Sequence, residues 1–210
     1  MSTGLYRWSP TAVPNAARVI PREGEGVNAT IAAYIAGFLD GDGSIHLPLV
    51  RQREYRYGVY VRVSVSCHQH QSGRQGLERL KEQLNVGYLR DRAGQMSDYV
   101  ITNRPAIRTL LTAIAPYVVF KKRQGERALT LLDAIEAIDS PETFLAVARQ
   151  VEAFKSLNRS KRKVNTVQAV LEAWRDTGVL APVTTDPDQG EILTHDGQDK
   201  TPAPQKRVEI

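Results

Sequence analysis

Cysteine is almost missing: Cys67 stands alone among 210 residues. A single thiol excludes an internal disulfide framework and suits a reducing compartment. No apolar run approaches the roughly 20 residues that span a bilayer, and the N-terminus lacks the basic-then-apolar layout of a secretory signal. No membrane partner is therefore expected. Residues 1–22 hold three arginines and no acid, which keeps an organelle transit peptide in view behind the simpler reading of a flexible extension. Aromatic residues make up only 7% of the chain, yet 41% is hydrophobic, enough for one sizeable core with tails.

Acid is what the main body is short of. The formal net charge is +5, but from Ala181 onward six acids face three bases. That stretch is net negative, so residues 1–180 carry +8. The same stretch contains four prolines and no apolar periodicity, the composition of a disordered segment. The expected organisation is a flexible extension over 1–27, one domain over 28–177, and an acidic, proline-containing tail over 178–210. A basic body makes nucleic acid the first partner to test.

Asn28 is positioned to cap an apolar helix over 29–40. Extended stretches follow at 44–54 and 58–69, then a helical spacing of Leu77, Leu80 and Leu84 within 73–85. Strands at 87–92 and 97–103 precede a helix at 104–115, which Pro116 ends. Residues 121–177 read helical, with breaks at Ser140-Pro141 and around 158–163. Helix, hairpin, helix, hairpin and further helices make an α+β domain, one antiparallel sheet covered by helices on one face.

The second strand says which face is covered. Val59, Val61, Val63, Val65 and Cys67 alternate with Tyr60, Arg62, Ser64, Ser66 and His68, so one face is apolar and must meet the helices. Arg90 and Arg92, then Asp98 and Thr102 around Val100, repeat the polar theme. A plain solvated sheet face is the commoner explanation of any one strand. Several strands together, however, present groups suited to base edges: Arg for guanine, Gln for adenine, Ser and His more broadly.

"YIAGFLDGDGSI", residues 34–45, closes the first helix with Asp40 and Asp42. A helix C-terminus carries partial negative charge, so carboxylates there are misplaced unless a cation joins them. A calcium-binding EF-hand loop fails as the explanation. Setting Gly43 at its invariant glycine puts Phe38 and Leu49 where acids are required. A simple glycine turn accounts for Gly41 and Gly43 but not for the acids.

"IAGFLDGDG" at 35–43, "VGYLRDR" at 86–92, "SDYVI" at 97–101, "IAPYVVFKKRQ" at 114–124 and "LNRSK" at 157–161 together resemble the single-motif, homodimeric LAGLIDADG homing endonucleases. The resemblance covers roughly residues 30–177. It implies an αββαββα core, a saddle-shaped antiparallel sheet and extra C-terminal helices. It also implies a homodimer in which the motif helices pack through Ala33 and Gly37, bringing two copies of Asp42 to the two-fold axis. Asp42 and the Gly41 carbonyl would then hold Mg2+, with Mn2+ able to substitute and Ca2+ supporting binding without cleavage. Gln69 matches the residue that orients solvent, and Lys121 the lysine that stabilises phosphate charge. The family's arginine falls on Gly73, a departure that Arg74 next door is expected to offset. Asp40 is expected to support the fold.

The resemblance assigns base contact with double-stranded DNA to His46, Val50, Gln52, Glu54, Tyr55, Tyr60, Arg62, Ser64, Ser66, His68, Arg90, Arg92, Asp98 and Val100. It assigns backbone contact to Ser160, Lys161 and Lys163 in "RSKRK". The implied activity is a site-specific double-strand break in a long pseudo-palindromic site, promoting mobility of the encoding intron or insert. A non-cleaving DNA- or RNA-binding protein, such as a maturase, is the alternative on the same scaffold. The expected location is bacterial cytoplasm beside the nucleoid, with chloroplast or mitochondrion as alternatives.

Overall fold

Asn28 does cap the first helix. Its side-chain oxygen accepts the backbone N–H of Ile31 at 3.0 Å, satisfying one donor of the opening turn, and α1 runs Ala29–Asp42. The computed structural model describes residues 28–158, 166–177 and 179. The N-terminal extension, Ser160, Lys161, Lys163 and all but Val179 of the expected tail lie outside the described residues.

The hairpins follow as β1 (Gly43–His46), β2 (Leu49–Arg51), β3 (Val59–Val61) and β4 (Ser64–His70), then β5 (Tyr88–Arg92) and β6 (Met96–Ile101). Between them lies α2 (Arg74–Leu84), and after them α3 (Arg104–Ile114), α4 (Lys122–Glu136), α5 (Pro141–Phe154) and α6 (Val167–Thr177). The two long strands expected at 44–54 and 58–69 are each broken in two. Pro48 has no N–H to give a ladder, but its carbonyl accepts from Arg62 at 3.0 Å. The hairpin therefore continues past the break as a separate two-stranded piece, β2–β3.

The main sheet is antiparallel throughout, in the order β1-β4-β6-β5. Val59, Val61, Val63, Val65 and Cys67 are all buried, as their alternation requires. They meet Ala32, Ile35, Ala36 and Leu39 of α1, Leu77, Leu80 and Leu84 of α2, and Ile107, Leu110 and Leu111 of α3 in one core. Each valine, leucine or isoleucine among them, taken fully out of water, contributes about 1.5–3 kcal/mol. Gly87, at φ 82°, lets β5 start tight against β6: a Cβ there would stand 2.5 Å from the Val100 carbonyl oxygen.

Ser140 and Thr143 form a capping box ahead of α5, with Pro141 in its first turn. The far end of the β2–β3 hairpin is anchored by the last helix. Trp174 Nε1 donates to the Tyr57 carbonyl at 2.8 Å, and the rings of Tyr57, Phe144 and Trp174 pack together. Among the described residues, no helix is long and apolar enough to cross a membrane.

Candidate active site and nucleic-acid interface

The end of α1 is built by one glycine and two acids with separate tasks. Gly43 leaves the helix so tightly that a Cβ would fall 2.6 Å from the Leu39 Cα, which no side chain permits. Asp40 turns toward the segment before α4. Its carboxylate accepts the backbone N–H groups of Val119 (2.6 Å), Phe120 (3.1 Å) and Lys121 (2.9 Å). That is the supporting role expected of it. Lys121 Nζ then donates to the Asp40 carbonyl at 2.6 Å, placing an ammonium at the negative end of α1.

Asp42 points away from that clasp and is exposed. Its Oδ2 accepts from Gln69 Nε2 at 2.7 Å, while Oδ1 has no hydrogen bond or ion pair among the described residues. Gln69 lies on the helix-facing side of β4, opposite to its neighbour His68, and so reaches the end of α1. Cys67, two residues earlier on the same face of β4, is buried. Burial, then the Asp42 charge, push its pKa up to about 12 against a lowering influence from Lys121. Asp42 and Gln69 are thus in direct contact, and the charges of Asp42 and Lys121 both reach the Cys67 thiol.

Arg74 is not drawn into this cluster. Its guanidinium pairs with Asp91 at 3.2 Å and with Glu78 one turn along α2. Hydrogen bonds from Ser97 and Arg74 in turn hold the Asp91 carboxyl below the usual range. Position 73 itself is confined, since a Cβ on Gly73 would lie 3.2 Å from Gln69 Oε1.

The chain supplies a divalent cation with hard oxygens, the donor type Mg2+ and Ca2+ favour. These are the unpaired Oδ1 of Asp42 and the Gly41 carbonyl, in a helix's last turn where carbonyls lack intrahelical partners. Among the described residues no group of three His, Cys, Asp or Glu side chains gathers. The donor set fits such an ion only with further oxygens from outside the chain.

On the other face of the sheet, a groove of about 530 Å³ is lined by His46, Arg62, Ser64, Ser66, His68, Arg90, Arg92, Asp98 and Val100. The register explains the gathering: His68 of β4 stands opposite Asp98 of β6, which stands opposite Arg90 of β5. Asp98 differs from the expectation of base contact. It is 0% exposed, held by Arg90 at 2.6 Å, Arg92 at 2.8 Å and His68 at 2.8 Å. Burial raises its carboxyl, but the hydrogen bonds from Arg90 and His68 and the nearby charges outweigh this and hold it below the usual range. Asp98 therefore orients the two arginines rather than meeting a base. Val100 is also buried.

Val50 faces Tyr60 in the β2–β3 piece, where Tyr55 and Tyr60 stack with centroids 4.3 Å apart. Gln52 donates to Glu54 at 3.2 Å in the same turn. Tyr88, Lys155 and Asn158 also line the groove, beyond the residues expected from the sequence. Tyr88 was findable, because it shares the period-two row of Arg90 and Arg92. Lys155 and Asn158 follow α5, and no local pattern announces them.

Along the outer face of α1, Ala33 and Gly37 are exposed, and a Cβ built on Gly37 meets nothing within 4 Å. Tyr34, Val119 and Phe120 are also exposed, Phe120 by 81%.

Residues 35–131 match the family model described as LAGLIDADG endonuclease. The chain is 32% identical over 159 residues to the DNA endonuclease I-CreI of Chlamydomonas reinhardtii, covering 74% of this chain and 97% of that relative. It is 25% identical to the DNA endonuclease I-CvuI of Chlorella vulgaris over 146 residues, 70% of this chain and 91% of the relative. Among solved structures, I-CvuI in complex with its target in the presence of Ca superposes with a TM-score of 0.67 at 24% identity, over 71% of this chain and 96% of the other. The archaeal intron-encoded I-Vdi141I complexed with DNA gives a TM-score of 0.62 at 21% identity, over 71% and 98%.

Proposed function

This chain belongs to the LAGLIDADG endonuclease family, and from that premise we propose that it is a homodimeric, divalent-metal-dependent homing endonuclease. It binds a long pseudo-palindromic DNA site and breaks both strands, promoting mobility of the intron or insert that encodes it. The observation that carries the reading is Asp42. An exposed carboxylate at the negative end of a helix, held by Gln69 and left with one open oxygen, is electrostatically costly unless a cation and a phosphate complete it.

Each residue then has a task. The thin face of Ala33 and Gly37 lets two motif helices approach, so that Asp42 and Gly41 of both copies converge on one axis. A bound Mg2+, with Mn2+ able to substitute and Ca2+ supporting binding alone, supplies Lewis acidity to the attacking and leaving oxygens. Gln69, its amide nitrogen on Asp42, turns its carbonyl oxygen to orient a water. Lys121, anchored on the Asp40 carbonyl, stabilises charge on the phosphate. Arg62, Arg90 and Arg92 read bases from the groove, and Lys161 and Lys163 hold the backbone. The lone buried cysteine fits a cytoplasmic setting.

A second reading, a binding protein that does not cut, is favoured by one observation: Arg74 is engaged by Asp91 and Glu78 away from Asp42. Purified wild type and Asp42→Asn, given a library of randomised sites with Mg2+, separate the two. Cleavage by the wild type alone, with binding in Ca2+ retained by both, is expected. Sequence-specific binding without cleavage by the wild type would establish the second reading.

A further inference from the structure

We infer that Ser66 and His68 form a proton-linked base-reading pair, offering a hydrogen-bond acceptor to the groove when His68 is neutral and a donor when it is protonated. The inference rests on the DNA-binding reading above and adds which base edges this point of the sheet takes.

Asp98 fixes the hydrogen-bond direction of its neighbours. Its carboxylate is ionised, and an ionised carboxylate only accepts. His68 Nδ1 lies 2.8 Å from Asp98 Oδ1, so Nδ1 must carry a hydrogen. A neutral imidazole then has its lone pair on Nε2, which stands 3.2 Å from Ser66 Oγ. Ser66 therefore donates its hydroxyl hydrogen to Nε2 and shows only lone pairs elsewhere. A second proton on His68 reverses this bond. Nε2 then donates to Oγ, and the Ser66 hydroxyl hydrogen swings outward.

Asp98 does not need His68 for neutralisation. Arg90 already holds Oδ2 at 2.6 Å and Arg92 holds Oδ1 at 2.8 Å. What the carboxylate does for His68 is fix the tautomer, and the tautomer sets the polarity of the pair. Both residues line the groove, with the His68 side chain 29% exposed and Ser66 only 6% exposed at the groove floor, so a base edge meets the serine only by reaching down to it. The other charged or titratable groups around it are Tyr88 beside Arg90 and Arg92 on β5, His46 on β1, and Arg62 and Lys155 on the same groove. One anion and several cations thus act on the imidazole together.

In the major groove cytosine shows only a donor, guanine and thymine show only acceptors, and adenine shows one of each. The pair therefore favours cytosine when neutral, favours guanine or thymine when protonated, and is nearly indifferent for adenine. A two-fold dimer makes both half-sites respond together.

The test combines imidazole nitrogen NMR of the free full-length protein with a binding panel of symmetric single-position target variants, at about pH 5 and about pH 8. Where NMR finds His68 neutral, its hydrogen should sit on Nδ1. At one symmetric pair of positions, the ratio of affinities for cytosine over guanine or thymine should change between the two pH values on the order of tenfold. Ser66→Ala should keep the tautomer and lose the swing, and His68→Gln should lose the swing as well. A hydrogen on Nε2 of neutral His68, a swing that survives both substitutions, or specific binding with no swing would overturn the pair. Binding with no base preference at either pH would instead overturn the DNA-reading assignment, and the pair with it.

Discussion

Asp40 and Lys121 are joined twice: the Asp40 carboxylate accepts the Lys121 backbone N–H at 2.9 Å, and the Lys121 ammonium donates to the Asp40 carbonyl at 2.6 Å. The clasp ties the end of the motif helix to the start of α4, and it fixes the lysine assigned to the phosphate. Asp40→Ala should lower unfolding free energy by about 1–3 kcal/mol, toward the lower end because the freed amides lie near water. Cleavage should fall as well, since the segment carrying Lys121 loses its anchor. Urea melts paired with cleavage rates check this, and a variant as stable and active as wild type would remove the clasp from the mechanism.

In the proposed dimer, Gly37 sets how closely the two motif helices approach. Gly37→Leu meets no obstacle within its own chain, because nothing lies within 4 Å of the added Cβ. The monomer fold should therefore survive, while helix-to-helix contact between copies is blocked. Sedimentation should show wild type as a dimer and the variant as monomer or aggregate. A dimeric, active Gly37→Leu protein would move the interface elsewhere.

Arg62 is exposed beside the groove. Arg62→Ala should cost about 1–3 kcal/mol of affinity at particular base pairs per half-site. Lys161→Ala or Lys163→Ala should weaken all sequences alike and make the salt dependence shallower by about one unit per lost contact. A target-variant panel at two salt concentrations separates these patterns. Uniform loss for Arg62→Ala would reassign it to the backbone.

Asp98 links the groove to acid stability. Its folded carboxyl titrates below its usual value, so its contribution is present above about pH 4 and disappears as pH falls through the depressed value. Asp98→Asn should cost about 1–3 kcal/mol at neutral pH, because Arg90, Arg92 and His68 lose their charged acceptor. The difference from wild type should still be present at about pH 4 and be lost below that, as the carboxyl takes up its proton. Urea midpoints across this range decide it. A difference that vanished by about pH 5 would show that the folded Asp98 carboxyl does not titrate below its usual value.

Much of the scaffold was legible because its signals are local. The Asn28 cap, the alternation from Val59 to Cys67, the Leu77-Leu80-Leu84 spacing and the Ser140-Pro141 break each lie within one element's reach, and each appears where its period or capping chemistry puts it. The break of the long hairpin strands was less legible. Pro48 announces a missing donor, but only pairing with Arg62 shows that the ladder resumes beyond it.

The sequence by itself determined the elements, the two sheet faces and the acids at the end of α1, since backbone geometry converts residue spacing directly into a face. Tertiary structure alone decided what those side chains touch. Asp40 meets amides about 80 residues away, Asp98 is buried beneath three basic side chains from two neighbouring strands, and Arg74 turns to Asp91 rather than Asp42. Such partners are set by strand register and by where one helix ends against another. Those depend on the packing of the whole core, which no local period encodes.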